Sequence, residues 1–456
     1  MALPELRARH PSFVYESYKL EEQAKSIKIV FQLKLEPDIV FQPEVIIPGG
    51  QRLEEESLSS LAFHLGMIES ISYWKAACPQ NFLVEAGNLS DQQIAWWHDL
   101  FIHGLGEFFF QNNIDFTSEN FLSILPNRNK PEAQPTKAEN LSGDLILVGG
   151  GKDSAVTLEA LKLSQSRKGV LILNPIQSAL DVTHQSGYPE PIVVQRKIDP
   201  KLIELNGSGY LNGHTPFSAY LAFLGVFTGL IHGYENIIVS NERSSGEANL
   251  AFKGLEINHQ YSKSYRFEKL FREYCSRYLT TDAQYFSFLR PLYDLQISSM
   301  FAKFPEYQSS FRSCNVGQKE NAWCGSCAKC SFVYVSLFPF VPYDKLTNIF
   351  GGDLFTKPAT QKYIRDLTGL GEHKPFDCVG TVDETKLAVA LSAKKYRMLG
   401  DTIPPFLASL EKDLGINEDK TIKMLERKIT DEWDDENFLP PDYARLLRST
   451  LQKIQN

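Results

Sequence analysis

No stretch of this 456-residue chain is long and apolar enough to suggest a membrane span. The most apolar run, Phe217 to Ile231 (FSAYLAFLGVFTGLI), is interrupted by Ser218, Tyr220 and Thr228. It falls short of the ~20 residues a span needs and reads as a buried helix. The first thirty residues lack the continuous apolar segment of a secretory leader, so a cytoplasmic location is expected. Internal repeats, low-complexity tracts and Lys/Arg-rich segments are also missing. Basic residues are outnumbered, 47 Lys and Arg against 55 Asp and Glu, giving a net charge of −8. That balance argues against a protein that coats nucleic acid and leaves room only for a local basic pocket. What is present is core-forming material: 43% hydrophobic, 12% aromatic and 22% charged residues mark a folded globular chain. The length suggests roughly three domains.

Texture divides the chain. Residues 10–48 (FVYESYKL, SIKIVFQLKL, IVFQPEVIIP) alternate or cluster apolar residues between polar turns and read as antiparallel strands. Helical stretches follow at Leu53–Ala77 and Ser90–Asn112, the second with Ser90 as N-cap. Residues 1–125 are therefore expected to form an α+β domain. Residues 126–143, with three prolines and few large apolar side chains, read as a linker or surface excursion. From 144 to 342 strands alternate with helices: Asp144–Val148, a helix from Ser154 to Ser164, Val170–Asn174, Pro191–Ile198, the apolar helix, then Asn236–Ser240. This rhythm predicts an α/β fold with a doubly wound parallel sheet. Residues 343–456 read as mostly helical.

The first of these α/β strands runs into Gly149-Gly150-Gly151-Lys152-Asp153-Ser154 and then a helix. Three glycines let the backbone turn successive N–H groups inward, and the helix N-terminus adds partial positive charge, so the turn is built to hold an anion. Lys152 and the Ser154 hydroxyl are candidate donors to phosphate oxygens. A Walker A loop is excluded because Ile146 stands where its first glycine belongs and Asp153 follows Lys152. The dinucleotide G-x-G-x-x-G fails because Ser154 replaces the third glycine. The run resembles the S-G-G-x-D-S loop of the ATP pyrophosphatase (PP-loop) superfamily, with Gly149 in the first serine position. That resemblance implies an adenine nucleotide α hydrolase-like fold, ATP cleaved between its α- and β-phosphates, Mg²⁺ held with the help of Asp153, and Asn174 near the adenine.

Cys314, Cys324, Cys327 and Cys330 form C-x9-C-x2-C-x2-C. With no secretion signal, this crowding favours a metal over disulfides. Four thiolates suit tetrahedral Zn²⁺ in a closed, structural site; an iron–sulfur cluster or reduced thiols would use the same residues. Cys78 and Cys275 are expected to pack as small hydrophobes.

Further polar runs carry candidate site residues: Asn212–Pro216 with His214, Ser240–Ser245 with Asn241, Glu242 and Arg243, and Asn258–Ser264 with His259 and Lys263. Arg243, Lys253, Lys263 and Arg266 are candidates for a basic lining suited to an anionic substrate. Beyond the α/β region, Gly371–Gly380 places His373, Lys374 and Cys378 in a glycine-bounded loop. Together, SNERSS, NHQYSKS with Phe267-Glu268, the cysteine cluster, HKPFDCVG and the N-terminal FVYESYKL resemble the UDP-N-acetyl-α-D-muramoyl-L-alanyl-L-glutamate epimerase family over most of the chain. The resemblance implies a UDP-sugar dipeptide substrate, ATP, adenylylation of the glutamate carboxylate, and inversion at Cα by groups of tuned pKa. His259, Lys263, Glu242 and Cys378 are the candidate proton-exchanging residues, with His214, Asn241, Arg243 and His373 as substrate contacts. The glycine loop and cysteines alone also fit a 7-cyano-7-deazaguanine synthase-like enzyme, and a nucleotide sensor without turnover is a third reading. An RNA-modifying thiolase is disfavoured by the acidic balance. The N-terminal strands are left with two roles, gripping the UDP-sugar or bracing the core.

Overall fold

Asp144–Leu147 is buried at every position, as expected of a central parallel strand covered on both faces. Alternation then sorts its side chains: Leu145 and Leu147 join one core with Phe223 and Phe227, whereas Ile146 and Val148 join another with Val156 and Leu158. These two cores account for the layered architecture of the computed structural model, which describes residues 1–50, 53–416, 419–430 and 432–455.

The strands are β1 (Ser12–Gln23), β2 (Ser26–Leu35), β3 (Ile39–Phe41), β4 (Glu44–Pro48), β5 (Asn81–Val84), β6 (Ser123–Pro126), β7 (Asp144–Leu147), β8 (Lys168–Leu173), β9 (Ile192–Lys197), β10 (Asn236–Val239), β11 (Leu250–Phe252), β12 (Leu255–Ile257) and β13 (Gln284–Ser287). Eleven form one sheet in the order β13-β10-β7-β8-β9-β4-β2-β1-β5-β6, with β3 beside β2. Its α/β part, β13-β10-β7-β8-β9, is wholly parallel and doubly wound. The N-terminal strands β1, β2 and β4 pair antiparallel, as their alternation predicts. One sheet crosses between the two regions, because β4 pairs antiparallel with β9 through Val45 and Arg196. Each strand would otherwise leave an edge of unpaired backbone groups, and joining them removes both edges. Residues 126–143 do not hang free: the Thr136 N–H donates to Leu279 and the Ala138 N–H to Asp282.

The apolar helix Phe217–His232 lies against the sheet with most of its residues buried. Gly229 permits this approach, since a Cβ there would stand 2.2 Å from Ile237. Among the described residues no helix is long and apolar enough to cross a membrane. After the sheet the chain is helical, chiefly Ala328–Leu337, Val382–Leu399 and Pro405–Leu414 around the second core. Cys78 and Cys275 are buried and free, as expected of small hydrophobes.

Candidate active site

In an open α/β sheet, ligands bind outside the carboxyl ends of the strands where the strand order reverses. Here that point lies between β7 and β10, neighbours whose chain connections run to opposite sides. β7 leads into the glycine turn and β10 into Ser240-Asn241-Glu242, and both line a cavity of about 520 Å³. The volume lies in the usual range of small-molecule sites, about 300–1,000 Å³.

The turn is shaped by its glycines. Gly150 has φ +82°, and a Cβ there would press within 2.6 Å of the Ala179 nitrogen, so only glycine serves. A Cβ at Gly149 would meet nothing within 4 Å, so that position is open. The Gly149 N–H donates to Ser154 Oγ at 3.1 Å. Asp153 lines the cavity; burial opposes its ionisation, yet Lys152 and Lys329 hold it below the usual carboxylate range.

Four expected site residues point elsewhere. Lys152 does not line the cavity: its buried ammonium bridges Asp153 at 2.5 Å and Asp294 at 2.7 Å. Asn174 spends its side-chain amide on the backbone of Arg196, accepting from its N–H and donating to its carbonyl, each at 2.8 Å. Arg243 lies over the Tyr293 ring and pairs with Glu432 and Asp434. His373 packs against Phe110 and Phe376. The expected basic lining changes accordingly. Arg266 pairs with Asp99 and Lys253 lies 3.8 Å from Asp115. The cations that do line the cavity are Lys263, Lys329 and Arg312.

The remaining candidates converge. Cys378 Sγ lies 3.1 Å from Lys263 Nζ and 4.0 Å from His259 Nε2, while His259 Nδ1 donates to the Glu107 carboxylate. Burial alone would raise the Cys378 thiol, but Lys263 and the His259 hydrogen bond bring it down to about 6. Burial disfavours charge on His259, and the partners Cys378 and Glu107 outweigh it, lifting the imidazole to about 9. Near neutral pH the pair is therefore a thiolate and an imidazolium. His214, lowered to about 3 by burial and by the neighbouring His259 and Lys75, stays neutral. Burial also raises Glu242, against the pull of Lys263.

Buried Arg290 fastens this arrangement. It donates to the carbonyls of Glu242 and Lys263 and pairs with Glu268 at 3.2 Å. Removing one member of such a buried pair costs about 3–5 kcal/mol, so the loops carrying Glu242 and Lys263 are held firmly.

Three groups at or beside the cavity carry no motif of their own in the sequence: Arg312, Lys329 and Glu107. Lys329 sits inside the cysteine motif, which masked it, and its ammonium donates to the Cys378 carbonyl. Glu107 lies in the apolar run GLGEFFF, where a carboxylate needs a buried partner; that was the available signal. Glu107, His214 and His259 are near enough together to suggest a cation site. The direct Glu107–His259 contact is instead that of a hydrogen bond, since two ligands about 2.1 Å from one ion stand roughly 3 Å apart.

The four cysteines converge as well, with Cys314 and Cys327 sulfurs 3.8 Å apart and Cys324 and Cys330 3.6 Å apart. Tetrahedral Zn–S bonds of about 2.3 Å place sulfurs roughly 3.8 Å apart, so the set fits the ion. Cys327 caps the helix Ala328–Leu337, whose first turn carries Lys329 into the cavity.

Comparison with known proteins follows the same lines. Family models described as the MurL N-terminal domain and the MurL C-terminal domain match residues 5–288 and 307–415. A protein of Salinispora tropica named UDP-N-acetyl-alpha-D-muramoyl-L-alanyl-L-glutamate epimerase is 36% identical over 72% of this chain and 72% of its own. Relatives of the same name from a Micromonospora species and from Xanthomonas oryzae pv. oryzae are 34% and 32% identical. They cover 75% and 78% of this chain, and 78% and 79% of their own lengths. No solved structure matches the chain. The first model alone spans more than half of the residues, and the chain belongs to the MurL family.

Proposed function

We propose that this protein inverts the terminal L-glutamate of UDP-MurNAc-L-Ala-L-Glu to D-glutamate, converting ATP to AMP and pyrophosphate, in the synthesis of peptidoglycan precursors. The observation that carries the reading is the meeting, in one cavity, of the glycine turn with the side chains of Cys378, His259 and Lys263.

The chemistry needs both halves. A glutamate α-proton beside a free carboxylate is very weakly acidic, because its loss would place a second negative charge next to the first. Attack of the α-carboxylate oxygen on the α-phosphorus of ATP forms an acyl-adenylate and expels pyrophosphate. The backbone N–H groups of Gly149–Gly151 and the N-terminus of the helix Lys152–Leu161 suit the departing anion. Asp153, an ionised oxygen donor at the mouth of that turn, would hold the Mg²⁺ that neutralises phosphate charge. With the carboxylate masked as an anhydride, the Cys378 thiolate takes the α-proton. Lys263 stands beside the charge that develops, and its own charge is felt by both Cys378 and Glu242. Glu242, the carboxyl raised by burial, supplies the proton from the other side. Water then releases AMP from the inverted glutamyl group.

The test is pyrophosphate release from ATP and Mg²⁺ with and without UDP-MurNAc-L-Ala-L-Glu, following the chirality of the product glutamate. Substrate-dependent pyrophosphate with D-glutamate is the expected result; pyrophosphate without inversion overturns the epimerase reading.

The cysteine site would be structural zinc, holding the turn that presents Lys329. Cys324→Ser is expected to reduce bound zinc from one ion per chain to none by elemental analysis. It should also lower the thermal midpoint by about 5–10 °C, from roughly 2–4 °C per kcal/mol for domains of this size. Unchanged metal content and unchanged melting would contradict the assignment.

A further inference from the structure

Beside the catalytic cavity lies a second one of about 350 Å³, and the two share Thr215 and Phe217 as a common wall. Its rim is unusual for this surface. Of the eleven large apolar side chains exposed among the described residues, three line it: Ile198, 44% exposed, Ile203, 66%, and Phe217, 47%. Clustering of exposed apolar groups on an acidic, otherwise polar surface marks a place where something binds.

The floor differs from the rim. Lys75 is only 7% exposed, and among the described residues its ammonium has one hydrogen-bond partner, the Gly213 carbonyl. Of the two acidic groups it feels, Cys78 is a thiol that burial keeps protonated and Glu107 is already engaged by His259. The neighbouring Arg196 is satisfied, bonded twice to Glu69 at 2.8 and 2.9 Å and once to Ser72. Lys75 is therefore a buried cation without a matched anion, and burying charge unpaired is unfavourable unless a ligand completes it. The half-buried Asn206 and the exposed Asn212 line the same cavity with further polar groups.

The catalytic cavity has to take ATP together with the glutamyl end of the substrate, and the second cavity adjoins it through Thr215 and Phe217. We propose that the second cavity binds the nucleoside diphosphate end of the substrate. Lys75 meets the diphosphate, and Ile198, Ile203 and Phe217 lie against the uracil and sugar rings. The peptide end passes Thr215 and Phe217 into the catalytic cavity. This assignment rests on the substrate reading above and deepens it. It also gives the N-terminal region a role beyond bracing, since Lys75 closes the helix Glu55–Trp74.

UDP itself is the probe. Wild type is expected to bind UDP by calorimetry, and UDP should compete with UDP-MurNAc-L-Ala-L-Glu but not with ATP. Ile203→Glu, on an exposed position that tolerates charge, should weaken UDP binding and raise the KM for the UDP-linked substrate at least tenfold, leaving the KM for ATP in place. Lys75→Met should do the same, with a melting curve to verify folding. Leu163→Glu, another exposed apolar position outside this cavity, should change neither constant. The assignment falls if wild type binds no UDP, or if Ile203→Glu and folded Lys75→Met bind it as wild type does. D-Glutamate formation by wild type, measured separately, reports whether the epimerase reading falls with it.

Discussion

Replacing Cys378 by alanine is expected to reduce D-glutamate formation about 10³-fold, within the 10²–10⁴ range of a positioned general base, while substrate-dependent pyrophosphate release persists within tenfold of wild type. The reason lies in the division of the cavity. In the proposed mechanism adenylylation needs the glycine turn and Asp153, whereas proton removal needs the Cys378 thiolate beside Lys263, at 3.1 Å, and His259. A loss of 10³ corresponds to about 4 kcal/mol of transition-state stabilisation. The variant should also fail to exchange the substrate α-proton with solvent deuterium. In wild type, exchange should rise with pH as the thiol ionises near 6 and fall where Glu242, whose carboxyl burial raises, gives up the proton it supplies. Glutamate inversion by Cys378→Ala within tenfold of wild type would remove the residue from the mechanism.

Asp153→Asn is the complementary case, expected to lower pyrophosphate release and D-glutamate formation together by about 10³ or more, the scale on which loss of one preorganised electrostatic group is felt. Asparagine preserves shape but removes the negative charge that faces the cavity from the glycine turn. Lys152 keeps its second carboxylate, Asp294 at 2.7 Å, so the buried ammonium is not stranded and the helix start should stay folded. The measurement is pyrophosphate release against Mg²⁺ concentration, with circular dichroism to verify the fold. Wild-type release at wild-type Mg²⁺ dependence would show that Asp153 holds no cation. The two variants thus separate activation from inversion: one loses only the second step, the other loses both.

Much of this molecule was legible in linear order. The parallel strands β7 to β10 and the helix Phe217–His232 follow from apolar runs bounded by turn residues, and the glycine turn is a contiguous motif whose neighbours are also its contacts. The cysteines fall in the same class, because C-x2-C spacing by itself brings sulfurs together. The pairing of β4 with β9 was not legible. Residues 44–46 meet residues 195–197 across some 150 positions, and no local pattern encodes that partner.

The same distinction runs through the site. Gly149, Gly151, Asp153 and Ser154 share a turn and line the cavity together, and His214, Asn241, Glu242, His259, Lys263 and Cys378 reach it from separate polar runs. Lys152, Asn174, Arg243 and His373 looked equally suitable, but where a long side chain points depends on which opposite charge or backbone group stands nearest after folding. Asp294 claims Lys152, Arg196 claims Asn174, and Glu432 with Asp434 claim Arg243. By itself the sequence determined the strand–turn–helix with its glycine turn, the four-cysteine motif and the family these runs resemble, because each is written in residues close together along the chain. Only the tertiary structure decided that Cys378 meets Lys263 and His259, that Glu107 from the N-terminal region orients His259, and that Lys75 lies unmatched beside the catalytic cavity. Those are electrostatic facts about groups brought together from distant parts of the chain, in a medium that burial has made less polar than water.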